Sequence, residues 1–238
     1  SFDVSLAFAL YYNQSNYKNG GRLLLTAYNF SIGAHIAAII ISLMLLVATL
    51  QIGKLREKIY RSFLVLLLLN LLGLTAELCL SLALTAGLPS GHMLIRLADS
   101  VSYLVGPLQN VMFACYLYSY LETKTKLSPV PFRVLLVITA LSAIVILLLQ
   151  ALGYYGVYDK TGHYQMGSFT YGYYILAILS LAVEFYIPWR YGKSCCSKDR
   201  LVLLSYPVFL LACYLLEMIF ADIWLSYLGA STVLFMIY

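Results

Sequence analysis

The chain has 238 residues, of which 62% are hydrophobic and only 11% charged, and its mean hydropathy is +0.86. A water-soluble domain of this size carries roughly 25% charged residues, so the composition excludes one and predicts an all-α membrane protein whose surface faces lipid. The formal net charge of +5 is concentrated in short linkers between apolar runs, where it reports topology and gives no argument for nucleic-acid binding.

In chain order, residues 1–26 read as an extracellular N-terminal segment. It lacks the charged start and the small-residue cleavage site of a signal peptide, and its apolar stretch at 2–12 is too short to span. Seven apolar segments follow, at about 28–50, 62–86, 95–121, 134–152, 171–189, 201–221 and 223–238. Most reach the ~20 residues needed to cross ~30 Å of hydrocarbon. The last is shorter and is parted from the sixth only by Asp222.

The linkers after the first, third and fifth segments carry eleven of the 15 basic residues: Lys54, Arg56, Lys58 and Arg61; Lys124, Lys126 and Arg133; Arg190, Lys193, Lys198 and Arg200. Lys18, Arg22, Arg96 and Lys160 are the remainder. Basic linkers stay cytoplasmic. The expectation is therefore a seven-transmembrane-helix bundle over 27–238, with its N-terminus outside and its C-terminus cytoplasmic.

A carboxylate at mid-helix costs about 2.5–3.5 kcal/mol to insert into a bilayer, so such groups face the bundle interior and find partners. At 100° per residue, Asn70, Gly73, Glu77 and Ser81 share one face of the second segment, and the opposite faces are mostly Leu. Asp99, Tyr103, Gly106 and Asn110 align in the third segment, where Pro107 predicts a kink and a freed carbonyl. Tyr206, Cys213 and Glu217 align in the sixth, whereas Glu184 in the fifth lies toward the opposite membrane face. Glu77, Asp99 and Glu217 are thus expected to converge at one outer depth. They form either a register-fixing polar network or an outward-open ligand pocket built with Asn70, Tyr103 and Asn110.

The outer linker at 153–170 and the residues after it are rich in tyrosine. They read as an aromatic belt at headgroup level, with a glycine-hinged lid over a ligand as the alternative. Cys79, Cys115 and Cys213 lie in apolar segments as small hydrophobes. Cys195 and Cys196 sit in a cytoplasmic linker and are expected to be reduced. No metal or cofactor is predicted.

Enzyme classes fall away on motifs. The last segment has no lysine to form a retinal Schiff base. His35, His92 and His163 do not accompany a GxSG serine, and HExxH and nucleotide-binding glycine loops are missing. The expected chain is not an enzyme. A small-solute transporter or channel is the alternative to a receptor, although the matching broken helices of inverted repeats are not evident.

Three stretches carry a family resemblance: the basic linker GKLREKIYRSF (53–63) leading into LLLLNLLGLTAELCL (66–80), the run SYLVGPLQNVMFACYLYSYLE (102–122), and the ending WLSYLGASTVLFMIY (224–238). Together they resemble the N-terminal seven-helix sensor region of bacterial membrane signalling proteins that carry a diguanylate cyclase (GGDEF) or histidine kinase domain. The resemblance covers about 27–238, and the longer N-terminal tail departs from it.

What the resemblance implies is a multi-pass sensor domain of the bacterial cell membrane. It would bind an extracellular small ligand, cationic or amine-bearing given the acids and tyrosines, and signal to a cytoplasmic cyclase or kinase. No sequence of such an effector is present, and dimerisation is expected through that output domain.

Overall fold

A computed structural model describes residues 20–52, 54, 57–88, 92–151, 157–158, 164–165, 170–219 and 225–238. The apolar stretch at 2–12, the break at Asp222, and most of the tyrosine-rich linker lie outside the described residues. So does His163.

Seven α-helices make up the described fold: α1 (Gly20–Gln51), α2 (Lys58–Thr85), α3 (Met93–Leu121), α4 (Val130–Ala151), α5 (Thr170–Tyr191), α6 (Ser197–Ile219) and α7 (Ser226–Ile237). A 3-10 turn at Gly192–Ser194 links α5 to α6, and Val157–Tyr158 pairs antiparallel with Tyr164–Gln165 between α4 and α5. The first helix begins at Gly20, inside the stretch assigned to the N-terminal segment.

Five helices (α1, α2, α4, α5 and α6) are long and apolar enough to cross a membrane. The chain therefore has the pattern of an all-α membrane protein. The two others fall short for different reasons. Helix α3 has 29 residues but spends apolarity on Arg96, Asp99, Gln109 and Asn110. Helix α7 has 12 residues, about 18 Å at 1.5 Å per residue, against a hydrocarbon core of ~30 Å.

Consecutive helices pack on one another, α1 closes on α7, and α3 also packs on α5. Half of the apolar window of α2 is buried but only 22% of that of α4, so α2 is central and α4 peripheral. The outer faces of α1 and α4 expose Ile40, Met44, Val47, Val137, Ile144 and Leu148, as lipid-facing surfaces do. The interior is continuous through Leu66, Leu67, Phe113, Leu117, Tyr206 and Leu234. Phe113 and Tyr206 stack with ring centroids 3.7 Å apart.

The ends of the helices differ in character. Helix α2 stops in a Schellman turn: Leu88 N–H donates to Ala83 O at 3.1 Å and Gly87 N–H to Leu84 O at 3.0 Å. Gly87 takes φ +72° there, which a Cβ disfavours. We call this the turn end. At the other, basic end, Asp199 in the first turn of α6 accepts hydrogen bonds from Tyr120 Oη and from Lys124 Nζ, the latter at 3.3 Å. This clamps α3 to α6, and an anion is favourable at a helix N-terminus. Lys124 also donates to Tyr120 Oη at 2.8 Å, and these contacts hold its ammonium pKa above the ordinary value.

Helices α6 and α7 approach closely because Gly229 has no side chain. A Cβ there would sit 2.6 Å from Cys213 Sγ and 3.3 Å from Phe209 Cδ1. Gly229→Ala is therefore expected to lower stability by about 1 kcal/mol, overpacking outweighing the gain in helix propensity. Adding Cys213→Ala should recover most of the loss in a denaturant titration.

Candidate functional site: a carboxylate-lined cavity near the turn end

The polar faces of α2, α3 and α6 meet the first turns of α5 and α7 around a narrow cavity of about 40 Å³. That is room for a few waters, far below the several hundred Å³ of an ordinary small-molecule pocket. Glu77, Asp99, Tyr103, Asn110 and Glu217 all line it. The three acids placed on one stripe each by periodicity thus share a single cavity.

Their surroundings differ. Glu77 is buried and held from α1: His35 Nε2–H donates to Glu77 Oε2 at 2.7 Å. Ser102 Oγ lies 3.4 Å from Oε1, a weaker contact. Glu217, also buried, accepts the backbone N–H groups of Leu225 and Ser226 on Oε1 at 2.7 and 2.6 Å. It therefore satisfies donors at the start of α7 that helix geometry leaves without intrahelical partners, and it ties α6 to α7.

Asp99 is different. No described residue donates a hydrogen bond to its carboxylate, and Arg96, three positions earlier, forms no ion pair with it. It is the carboxylate of the three that the bundle leaves open toward the cavity.

Asn70 lies elsewhere. Its amide is the hub of a buried four-helix network: Nδ2 donates to Ser231 Oγ at 2.7 Å and to Ser42 Oγ at 3.2 Å, and Gln109 Nε2 donates to Oδ1 at 3.2 Å. Asn70 does not line the cavity. The network locks α1, α2, α3 and α7 in register, and Gln109 joins it to the cavity wall.

Aromatic rings form the rest of the wall: Tyr103, Tyr173, Tyr174, Tyr214 and Tyr227. Tyr103 and Tyr173 meet edge-to-face at 5.3 Å, and Tyr174 meets Tyr214 at 6.1 Å. Tyr227 Oη donates to the carbonyl of Ser102. Gly106 makes room for Tyr173, whose hydroxyl would lie 2.9 Å from a Cβ at that position. Helix α3 continues through Pro107, which has no N–H to give the Tyr103 carbonyl.

Sequence reasoning missed His35, Gln109, Ser102 and Tyr227. His35 had a usable signal, since a fully buried imidazole within an apolar helix requires a polar partner. The adjacent pair Tyr173–Tyr174 was read with the belt and lid, yet both rings are cavity walls. Among the described residues no group of three or more His, Cys, Asp or Glu side chains is arranged to hold a metal ion. An acceptor-rich cavity ringed by phenol faces is suited to a cation or hydrogen-bond donor. The chain matches no family model, no curated protein and no solved structure.

Proposed function

We propose that this chain is a membrane-embedded sensor domain that binds a small extracellular ligand in the carboxylate cavity. The observation that carries the reading is Asp99, a carboxylate that lines a tyrosine-walled cavity and has no hydrogen-bond donor among the described residues. In this reading α3 and the apolar segment 223–238, which contains α7, also cross the membrane, the turn end faces outward as expected from the basic linkers, and the C-terminus is cytoplasmic.

The ligand is a small amine or other cation that pairs with Asp99 and lies against the tyrosine faces. Because the cavity holds only a few waters, binding must open it. A ligand acts only through its differential affinity for two bundle packings, so opening is itself the signal. Helix α7, which contributes Ser226, Tyr227 and Ala230 to the wall, passes it to a cyclase or kinase effector, as the resemblance of 53–80, 102–122 and 224–238 suggests. Paired effectors would then reorient within a dimer.

The test is a thermal-shift screen of small amines against the purified chain in nanodiscs. A stabilising amine should lose about tenfold or more in affinity with Asp99→Asn, as expected for a charge-assisted hydrogen bond. Hits confined to anions, or unchanged affinity in the variant, would sink the reading.

A transporter is the second reading, favoured by Glu184. It is fully buried in α5 on the side of the basic end, and neither carboxylate oxygen has a hydrogen-bond partner among the described residues. An acid beyond the cavity is what a through-path would need. That reading expects the amine to accumulate inside sealed vesicles and Glu184→Gln to stop the accumulation.

A further inference from the structure

A second cavity lies at the basic end, between α2, α3 and the start of α4, with a volume of about 490 Å³. It shares no residue with the carboxylate cavity. Lys58 and Arg61 line it in the first turn of α2, and Val65, Met112 and Phe132 supply its apolar wall. Along α3 the lining runs from Glu122 at the mouth to Met112, about 15 Å at the helical rise. The chemistry therefore changes from cationic to apolar over about the depth of half a hydrocarbon core.

Charge at the mouth is cancelled only in part, since Lys58 and Arg61 face the single carboxylate of Glu122 in the lining. Lys58 Nζ stands 3.9 Å from Glu122 Oε2, with both side chains largely exposed, a contact of little strength. Arg61 makes no ion pair among the described residues. A site for a soluble phosphate would be polar throughout, whereas here two cations of the basic linker adjoin an apolar wall in one cleft. A cleft with a basic mouth and an apolar floor fits an amphiphile with an anionic head.

We propose that this cleft holds one anionic phospholipid of the leaflet at the basic end, its phosphate on Arg61 and Lys58 and an acyl chain along Val65, Met112 and Phe132. Basic pockets between membrane helices bind acidic headgroups through this combination. Arg61 supplies a planar fork of donors for phosphate oxygens, and the acyl chain gains the burial that a free headgroup lacks.

The experiment uses the full chain in nanodiscs of equal parts phosphatidylglycerol and phosphatidylcholine, extracted and weighed by native mass spectrometry. Phosphatidylglycerol should be retained in preference. Arg61→Gln and Lys58→Gln should each lower that preference about fivefold. Val65→Trp, which fills the floor and spares both cations, should remove it. Lys193→Gln, at the same end but outside the cleft, should leave it unchanged. Equal retention of the two lipids by the parent chain would overturn the proposal, as would an equal loss in Lys193→Gln. Release of the lipid by millimolar glycerol phosphate would also overturn it, because the head alone would then account for binding.

Discussion

Replacing His35 with leucine is expected to destabilise the bundle by about 3 kcal/mol, the lower end of what removing one partner of a buried pair costs. His35 is fully buried and Glu77 nearly so, and their 2.7 Å contact joins α1 to α2. Without the imidazole, Oε2 loses its donor and Oε1 keeps only the 3.4 Å approach of Ser102. The loss comes from a stranded polar group, so removing both partners should cost much less than removing one. In a denaturation series, His35→Leu/Glu77→Leu is therefore expected to be more stable than His35→Leu alone. If the double variant is the worse of the two, volume and packing govern this site. Ligand affinity adds a second readout: if Asp99 is the anchor, Glu77→Gln should reduce binding far less than Asp99→Asn.

Gly73→Ala is expected to have a comparable effect by a different route. A Cβ on Gly73 would overlap three ring carbons of Tyr227, where carbon contacts settle near 3.5–4.0 Å. The ring has little freedom to retreat, since its hydroxyl is bonded to the Ser102 carbonyl and the residue is only 4% exposed. The added methyl must push α7 away from α2 or break that bond, at a cost of about 3 kcal/mol. In a Tyr227→Leu background the same substitution should cost about 1 kcal/mol or less, a coupling that a double-mutant cycle would measure. Because Tyr227 also lines the cavity, Gly73→Ala should alter ligand affinity without touching any acid. Unchanged affinity would mean that α7 moves independently of the cavity.

These two sites show where sequence reading stopped. Gly73 was legible as a small residue on the polar stripe of α2, but Tyr227, the ring that fills its notch, lies 154 positions later. His35 and Glu77 are 42 residues apart, and Asn70 and Ser231 are 161 apart. The segment bounds read from hydropathy fall within a few residues of α2 to α6, since apolar runs and polar linkers report the lipid boundary directly. At the chain's first helix the reading was late: α1 starts at Gly20, where Gly20, Gly21 and Arg22 gave no helical cue ahead of the leucines.

What the sequence determined by itself is the all-helical membrane character, the basic end, and the stripes that carry Glu77, Asp99 and Glu217. Each follows from the near-absence of charge and from the 3.6-residue period, which are properties of one helix in one solvent. The tertiary structure alone decided which partner each polar group meets. Periodicity says which residues share a face, but not how neighbouring helices rotate about their axes or which rotamers reach across. That rotation gave Glu77 an imidazole from α1, gave Glu217 the N–H groups at the start of α7, drew Asn70 into the four-helix network, and left Asp99 open to the cavity.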